Sequence, residues 1–96
     1  ARDIPGIDRG KVQDIVRGEG RIVDHGGEKL AAARDDSGAL HVVSAVCTHM
    51  QCIVRWNTAE RSWDCPCHGS RFAPDGTVLE GPALADLPKR SLADLA

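Results

Sequence analysis

The four cysteines constrain this 96-residue chain more than any other feature, because they occur in two short motifs. The first motif, "CTHMQC", covers residues 47 to 52, and the second, "CPCHGS", covers residues 65 to 70. A chain of this length forms one small domain with a thin core, and such domains usually need a disulfide or a metal as an additional cross-link. Aromatic residues make up only 3% of the sequence, which increases that need.

Each motif places a histidine close to a cysteine. Cys47 and His49 form a C-x-H pair, and Cys65 and His68 form a C-x-x-H pair. One thiolate and one imidazole from each of two loops can bind a metal centre from both sides. Two alternatives stay open from these residues alone: a zinc site, or two plain disulfides beside histidines that have no role. Neither explains well why both motifs also carry an extra cysteine.

The chain ahead of the first motif predicts strands. From residue 12 to residue 46, short apolar runs alternate with glycine and aspartate clusters, as in antiparallel strands joined by turns. Residues 29 to 44 predict a hairpin that closes at the turn Asp35-Asp36-Ser37-Gly38. Three consecutive alanines in its first strand are poor strand formers and weaken this prediction.

The second half of the chain predicts two further turns. Residues 53–56 and 61–63 flank a polar turn and predict a hairpin that has both cysteine motifs at one end. The Pro74-Asp75-Gly76 sequence is a strong turn signal. The tail from Lys89 onward is expected to form a short helix or to fray. The fold class predicted is therefore a small all-β domain of sandwich or barrel type.

Charge and hydropathy exclude several classes of partner. The formal net charge is −2, so we expect no binding to nucleic acid or to an anionic membrane surface. No apolar run approaches the roughly 20 residues that span a bilayer, so no membrane contact is expected from this segment. The start lacks an initiator methionine and a signal peptide, and both ends look cut from a longer protein. A cytoplasmic location is expected; the alternative is membrane association through a missing N-terminal anchor.

In their order and separation, "CTHMQC" and "CPCHGS" resemble the two cluster-binding boxes of the Rieske family of [2Fe–2S] proteins. The similarity extends with lower specificity from Lys29 to Pro88. It implies a small antiparallel β-sandwich whose cluster-binding subdomain, about residues 46–72, is formed by two loops. The domain is expected over residues 12–90, after a linker or truncated junction at 1–11 and before a tail at 91–96.

The resemblance also implies a role for each cysteine and for two histidines. Two of the cysteines would bind one iron and the histidines the other, the four ligands being Cys47, Cys65, His49 and His68. The remaining pair, Cys52 and Cys67, would form a disulfide between the loops. Neutral imidazoles remove negative charge from one iron, which raises the potential above that of all-cysteine ferredoxins.

Four further residues match positions around the cluster in that family. Ser70 matches a serine whose hydroxyl donates to a cluster sulfide in high-potential members. Phe72 stands where those members have a tyrosine donor, so we expect a lower potential than theirs. Met50 resembles an apolar residue that shields the cluster, and Pro82 resembles a proline loop that covers it. A core methionine and an ordinary turn proline are the alternatives.

The expected function is one-electron transfer, with no catalytic site in the chain itself. Residues 52–83 look most similar to the C-terminal Rieske module of FAD-dependent, amino-acid-oxidase-like oxidoreductases, which implies a flavin domain as redox partner and FAD in the parent protein. One alternative is the extrinsic Rieske subunit of a quinol-oxidising cytochrome bc-type complex. Dioxygenase ferredoxins are less similar because they normally lack the Cys52/Cys67 pair. An alternative of another class is a zinc-stapled interaction domain.

Overall fold

A computed structural model of the protein describes residues 14–25, 27–48 and 52–90. These ranges contain strands and turns but no helix, and so no helix long and apolar enough to cross a membrane. The strands are β1 (Gly20–His25), β2 (Glu28–Arg34), β3 (Leu40–Ser44), β4 (Arg55–Asn57), β5 (Ser62–Asp64), β6 (Arg71–Phe72), β7 (Val78–Glu80) and β8 (Lys89–Arg90). They form two four-stranded antiparallel sheets. The all-β prediction is therefore confirmed.

The larger sheet has the strand order β1-β2-β3-β8. The predicted β2–β3 hairpin is confirmed, with Ala32 opposite Val42 in the register. Its turn depends on the carboxylate of Asp35, which accepts the backbone N–H groups of Ser37 and Ala39 at 2.9 and 3.0 Å. The prediction of a helix or frayed end from Lys89 is wrong for the first two residues, since β8 pairs with β3; residues 91–96 lie outside the described part.

The smaller sheet has the strand order β4-β5-β6-β7. The second predicted hairpin is confirmed as β4–β5, with its strands starting one or two residues later than expected. The Pro74 turn is confirmed between β6 and β7, where the Gly76 N–H donates to the Ala73 carbonyl at 2.8 Å. Gly76 has φ 93°, and an added Cβ would lie 2.8 Å from the Leu87 carbonyl, so only glycine suits this position.

The core between the sheets explains the alanines that weakened the hairpin prediction. Trp63 is fully buried there, in one cluster with Ala31 and Ala33, because small side chains on β2 leave room for a bulky ring. The opposite face of β2 is buried as well, with Ala32 in a second cluster. Both faces of this strand are thus covered, which removes the alternation of apolar and polar residues seen in half-buried strands.

Two tryptophans of the second hairpin contribute to the packing. Trp56 and Trp63 are opposite each other in the β4–β5 register, and their rings meet edge-on with centroids 5.0 Å apart. The Trp56 indole N–H also donates to the Gly18 carbonyl at 3.3 Å, which ties the smaller sheet to the segment before β1. This rigid framework carries the two loops that contain the cysteine motifs.

Candidate metal centre

The two cysteine motifs lie in loops that leave neighbouring strands of the framework. The first box loop, residues 45–54, connects β3 to β4, and the second box loop, residues 65–70, connects β5 to β6. Backbone hydrogen bonds close each loop at its base: Cys47 N–H donates to the Cys52 carbonyl at 2.7 Å, and Cys65 N–H donates to the Ser70 carbonyl at 2.8 Å. The sheet register therefore extends into both loops and sets the position of the first cysteine in each.

A disulfide joins the two loops. Cys52 and Cys67 are bonded to each other, with 6.5 Å between their Cα atoms, as the resemblance implies. Their sequence separation is 15, and closing a loop of this length in the unfolded chain stabilises a fold by about 3 kcal/mol. The alternative of two plain disulfides is wrong, because Cys47 and Cys65 are thiols.

The two thiols are buried at the bases of the loops. Cys47 is 1% exposed and Cys65 is 3% exposed, and both belong to the core cluster that contains Trp63 and Phe72. A soft thiolate donor in a water-excluded position suits an iron–sulfur centre. The sulfur of Cys65 also lies within 4.8 Å of both disulfide sulfurs, but disulfide sulfurs cannot act as thiolate ligands, so this trio is not a three-thiolate metal site.

The expected histidine ligands differ in how far the structure describes them. His68 is exposed in the second box loop, one residue beyond the disulfide. His49 lies outside the described residues, as does Met50, so their predicted roles stay predictions. His41 is not among the expected ligands, and its Nε2 atom lies 2.8 Å from a carboxylate oxygen of Asp35.

A third segment, residues 81–88, is tied to both box loops. The Ala83 N–H donates to the Ser70 hydroxyl oxygen at 3.0 Å, and the Thr48 hydroxyl donates to the Ala85 carbonyl at 2.6 Å. This segment carries Pro82, which is exposed and follows a cis peptide bond. The role of Thr48 was missed by sequence reasoning; the only signal was a hydroxyl residue between the two expected ligands of its motif.

The Ser70 and Phe72 side chains are both fully buried, and their predicted roles beside a cluster stay predictions. Ser70 is fully buried, and its oxygen accepts the Ala83 N–H, so its own proton stays available for an acceptor within the site. Phe72 is fully buried in the same core cluster as Cys47 and Cys65 and carries no donor. Buried thiols, a buried hydroxyl with a proton to donate and two loops held together form a donor set that fits a [2Fe–2S] cluster.

An ion-pair network supports the base of the second box loop. Asp64 directly precedes Cys65, Arg71 directly follows Ser70, and the Arg71 Nε atom donates to the Asp64 carboxylate at 3.2 Å. Partial burial acts to raise the pKa of Asp64, but hydrogen bonds from Asn57, Ser62 and Arg71 outweigh it and hold the pKa below its usual value. Sequence reasoning missed this pair, because its only signal was an acidic and a basic residue at the two ends of the motif.

Comparison with known proteins also indicates an iron–sulfur protein. A sequence model described as the Rieske [2Fe–2S] domain matches residues 7–91. The "Putative Rieske 2Fe-2S iron-sulfur protein YhfW" of Bacillus subtilis is 51% identical over 80 residues, which are 83% of this chain and 16% of that protein. The cytochrome b6-f complex iron-sulfur subunit of Chlorobaculum thiosulfatiphilum is 36% identical over 85% of this chain and 46% of its own length.

Among solved structures, the plasma membrane Rieske protein PetC3 of the cyanobacterium Synechocystis is similar. It superposes with a TM-score of 0.71 at 29% identity, over 95% of this chain and 88% of that one. The chain spans less than half the length of the two curated relatives described above.

Proposed function

The chain belongs to the Rieske [2Fe–2S] domain family, and from that membership we propose that it transfers single electrons through a cluster bound by Cys47, His49, Cys65 and His68. The observation that carries this proposal is the pair of box loops, joined by the Cys52–Cys67 disulfide, with two buried thiols at their bases. A Rieske cluster, when bound, accepts and releases one electron at a time at a higher potential than an all-cysteine cluster.

The residues around the site differ in their exposure to solvent and therefore in their proposed roles. Burial of Cys47 and Cys65 keeps water from the thiolate side. On the other side, His68 is exposed in its loop, so this proposed ligand would lie at the solvent-facing edge of the site. The Ser70 hydroxyl, held through its oxygen by the Ala83 N–H, supplies a donor to a sulfur acceptor in the site. Electron entry and exit are expected on the histidine side.

Phe72 affects the reduction potential that we propose for this site. A tyrosine at that position would add one more donor near the thiolates, and its absence leaves more negative charge on the sulfurs. We therefore propose a potential below that of family members that carry both the serine and the tyrosine donor. This proposal concerns the value of the potential and leaves the assignment of the ligands unchanged.

A cytochrome bc-type complex is the setting that the relatives support best. The subunit from Chlorobaculum thiosulfatiphilum is named for the cytochrome b6-f complex, and it aligns over 85% of this chain. We propose a haem-containing complex of this class as the redox partner, which would place the domain at a membrane through a segment outside this chain. The absence of a tyrosine donor at Phe72 is the feature that fits this setting least well.

A module fused to a flavin domain, the setting that the sequence resemblance favours, is the second candidate. YhfW aligns with this chain over only 16% of its length, so in that relative the domain is a small part of a long protein. This observation supports fusion to another domain, whereas none of the relatives' names supports FAD. In this setting the domain would be cytoplasmic and would receive electrons inside one polypeptide.

The cluster is tested on the purified full chain. We expect a red-brown protein that contains two irons and two sulfides per chain, with an electron paramagnetic resonance signal of low average g after reduction. The matched variants are Cys47→Ser and Ser44→Ala, since both replace buried residues near the first box but only the first removes a proposed ligand. A colourless wild type with one zinc per chain would refute the proposal and favour the zinc-stapled domain.

The setting is tested on the parent protein purified from its own host with its partners attached. Haem absorption in the purified material, together with reduction of the cluster by an added quinol, is expected for the complex. A flavin spectrum on the same polypeptide, without haem, would instead establish the fused module.

A further inference from the structure

Three sulfur atoms lie together where the two box loops meet. The Sγ atoms of Cys52, Cys65 and Cys67 are all within 4.8 Å of one another, two of them bonded as a disulfide and the third a buried thiol. We propose that, in the metal-free protein, Cys65 exchanges with this disulfide. The domain then has two disulfide isomers, and only the Cys52–Cys67 isomer leaves Cys65 available as a ligand.

The exchange needs no oxidant or reductant. The Cys65 sulfur, as a thiolate whose proton has gone to solvent, forms a bond with the Cys52 sulfur while the Cys52–Cys67 bond breaks. The electron pair of the broken bond leaves with the Cys67 sulfur, which then takes a proton from solvent. One disulfide and one thiol are present before and after the step.

Attack at Cys52 is favoured over attack at Cys67 for two reasons. Only Pro66 separates Cys65 from Cys67, and a proline with its fixed φ resists the tight ring that a bond between these neighbours would close. In addition, Cys67 is exposed whereas Cys52 is half-buried, so water solvates a thiolate leaving at position 67 better than one leaving at position 52. The product bond, like the original one, would join the first box loop to the second.

Metal binding and this exchange compete for one sulfur atom. A Cys65 sulfur bound to iron is not available as a nucleophile, so a loaded site holds the disulfide in the Cys52–Cys67 form. An empty site can pass to the other isomer, which lacks one proposed ligand until the reverse exchange, or an external thiol, restores Cys65. Loading of the domain would therefore be slowed in proportion to the fraction of empty protein that is in this isomer. This consequence rests on the proposed function, whereas the exchange itself rests only on the three sulfurs.

Differential alkylation of the purified full chain tests the exchange. Iron is removed with a chelator, and the protein is held without air at pH about 8, where a useful fraction of thiols is ionised. Thiols are then blocked with iodoacetamide, the disulfide is reduced, and the released thiols are labelled with N-ethylmaleimide. Trypsin cleaves after Arg61 and Arg71, which leaves Cys65 and Cys67 in one peptide, and fragmentation before Pro66 separates their labels.

We expect the first label on Cys67 to rise at least about tenfold over the level in iron-loaded protein, with the second label appearing on Cys65. The Cys47→Ser variant, which lacks a proposed ligand and is expected to be metal-free as made, should give the same pattern. Adding Cys65→Ser removes the attacking sulfur, so Cys67 should then stay in its disulfide.

Cys47 serves as an internal reference for unfolding, since it is also a buried thiol in the first box loop. In a folded metal-free protein Cys47 should stay outside the disulfide and should not take the second label. Two results would overturn the proposal. In the first, Cys65 takes the first label in every metal-free sample, which means that it never enters the disulfide. In the second, Cys47 enters disulfides as often as Cys65 does. A colourless protein without iron would defeat the proposed function, yet the labelling result on these sulfurs would stand.

Discussion

The substitution Ser70→Ala separates two effects of one buried hydroxyl. Its oxygen accepts the N–H of Ala83, which is itself 3% exposed, so the alanine variant leaves that N–H buried without its partner. An unsatisfied buried donor costs about 1–3 kcal/mol, and we expect the free energy of unfolding to fall by about 2 kcal/mol. This loss depends only on a contact within the protein, so it should appear in metal-free protein as well.

The same substitution should lower the reduction potential of the loaded domain. The hydroxyl proton is lost as a donor to the sulfur site, and one hydrogen bond contributes about 1 kcal/mol. For a one-electron couple, a tenfold change in equilibrium constant is 59 mV, so this energy corresponds to a fall of about 40 mV. Urea unfolding followed by tryptophan fluorescence measures the stability, and a redox titration followed by electron paramagnetic resonance measures the potential.

Ser62→Ala is the matched control for this experiment. Ser62 is buried in the same small sheet, but its hydroxyl donates to Asp64 at 2.7 Å, in the ion-pair network and not in the expected cluster site. We expect a comparable loss of stability with little change in potential. Equal shifts of potential in the two variants would refute the role assigned to Ser70, and an unchanged stability in Ser70→Ala would refute the contact with Ala83.

Three further predictions follow from single contacts. Phe72→Tyr adds a donor in the core cluster that contains both buried thiols, and a redox titration should show a potential about 40 mV higher; an unchanged value would contradict the account of the low potential. Replacing Cys52 and Cys67 together by serine should lower the free energy of unfolding in urea by about 3 kcal/mol and should speed the loss of iron. As a check, the variant should be as stable as wild-type protein whose disulfide has been reduced. Hydrogen bonds from the Ser37 hydroxyl, from His41 and from the turn backbone lower the pKa of Asp35, so its stabilising effect is present above the ordinary value of 3.8 and is lost as the pH falls below it. Asp35→Asn should therefore flatten the acid side of the stability profile, and an identical profile would contradict this.

The setting of the domain is a property of the parent protein more than of the domain. The sequence resemblance over residues 52–83 predicts a flavin-linked module, yet the relatives that align over most of the chain include a cytochrome b6-f subunit. Both settings can use the same box loops, because the proposed cluster ligands and the disulfide lie inside the domain and the partner lies outside it. This is why the fold and the Cys52–Cys67 disulfide could be predicted from the sequence while the partner could not.

The sequence by itself determined the features that depend on neighbours along the chain. Turn residues such as Asp35 and Gly76 set the hairpins through hydrogen bonds to residues two to four positions away and through a positive φ. The spacing within the two motifs was enough to predict the Cys52–Cys67 bond through the family resemblance. The ligand residues rest on the same spacing and stay predictions.

Only the tertiary structure decided the contacts between residues that are far apart in the chain. Thr48 reaches Ala85 across 37 positions, and Ala31 and Ala33 of β2 are explained only by the core cluster that they share with Trp63 of the other sheet. The exchange proposed for Cys65 likewise depends on a sulfur that another loop brings near. Such contacts leave no local pattern, since a hydroxyl or a small side chain suits many partners and the folded sheets select one.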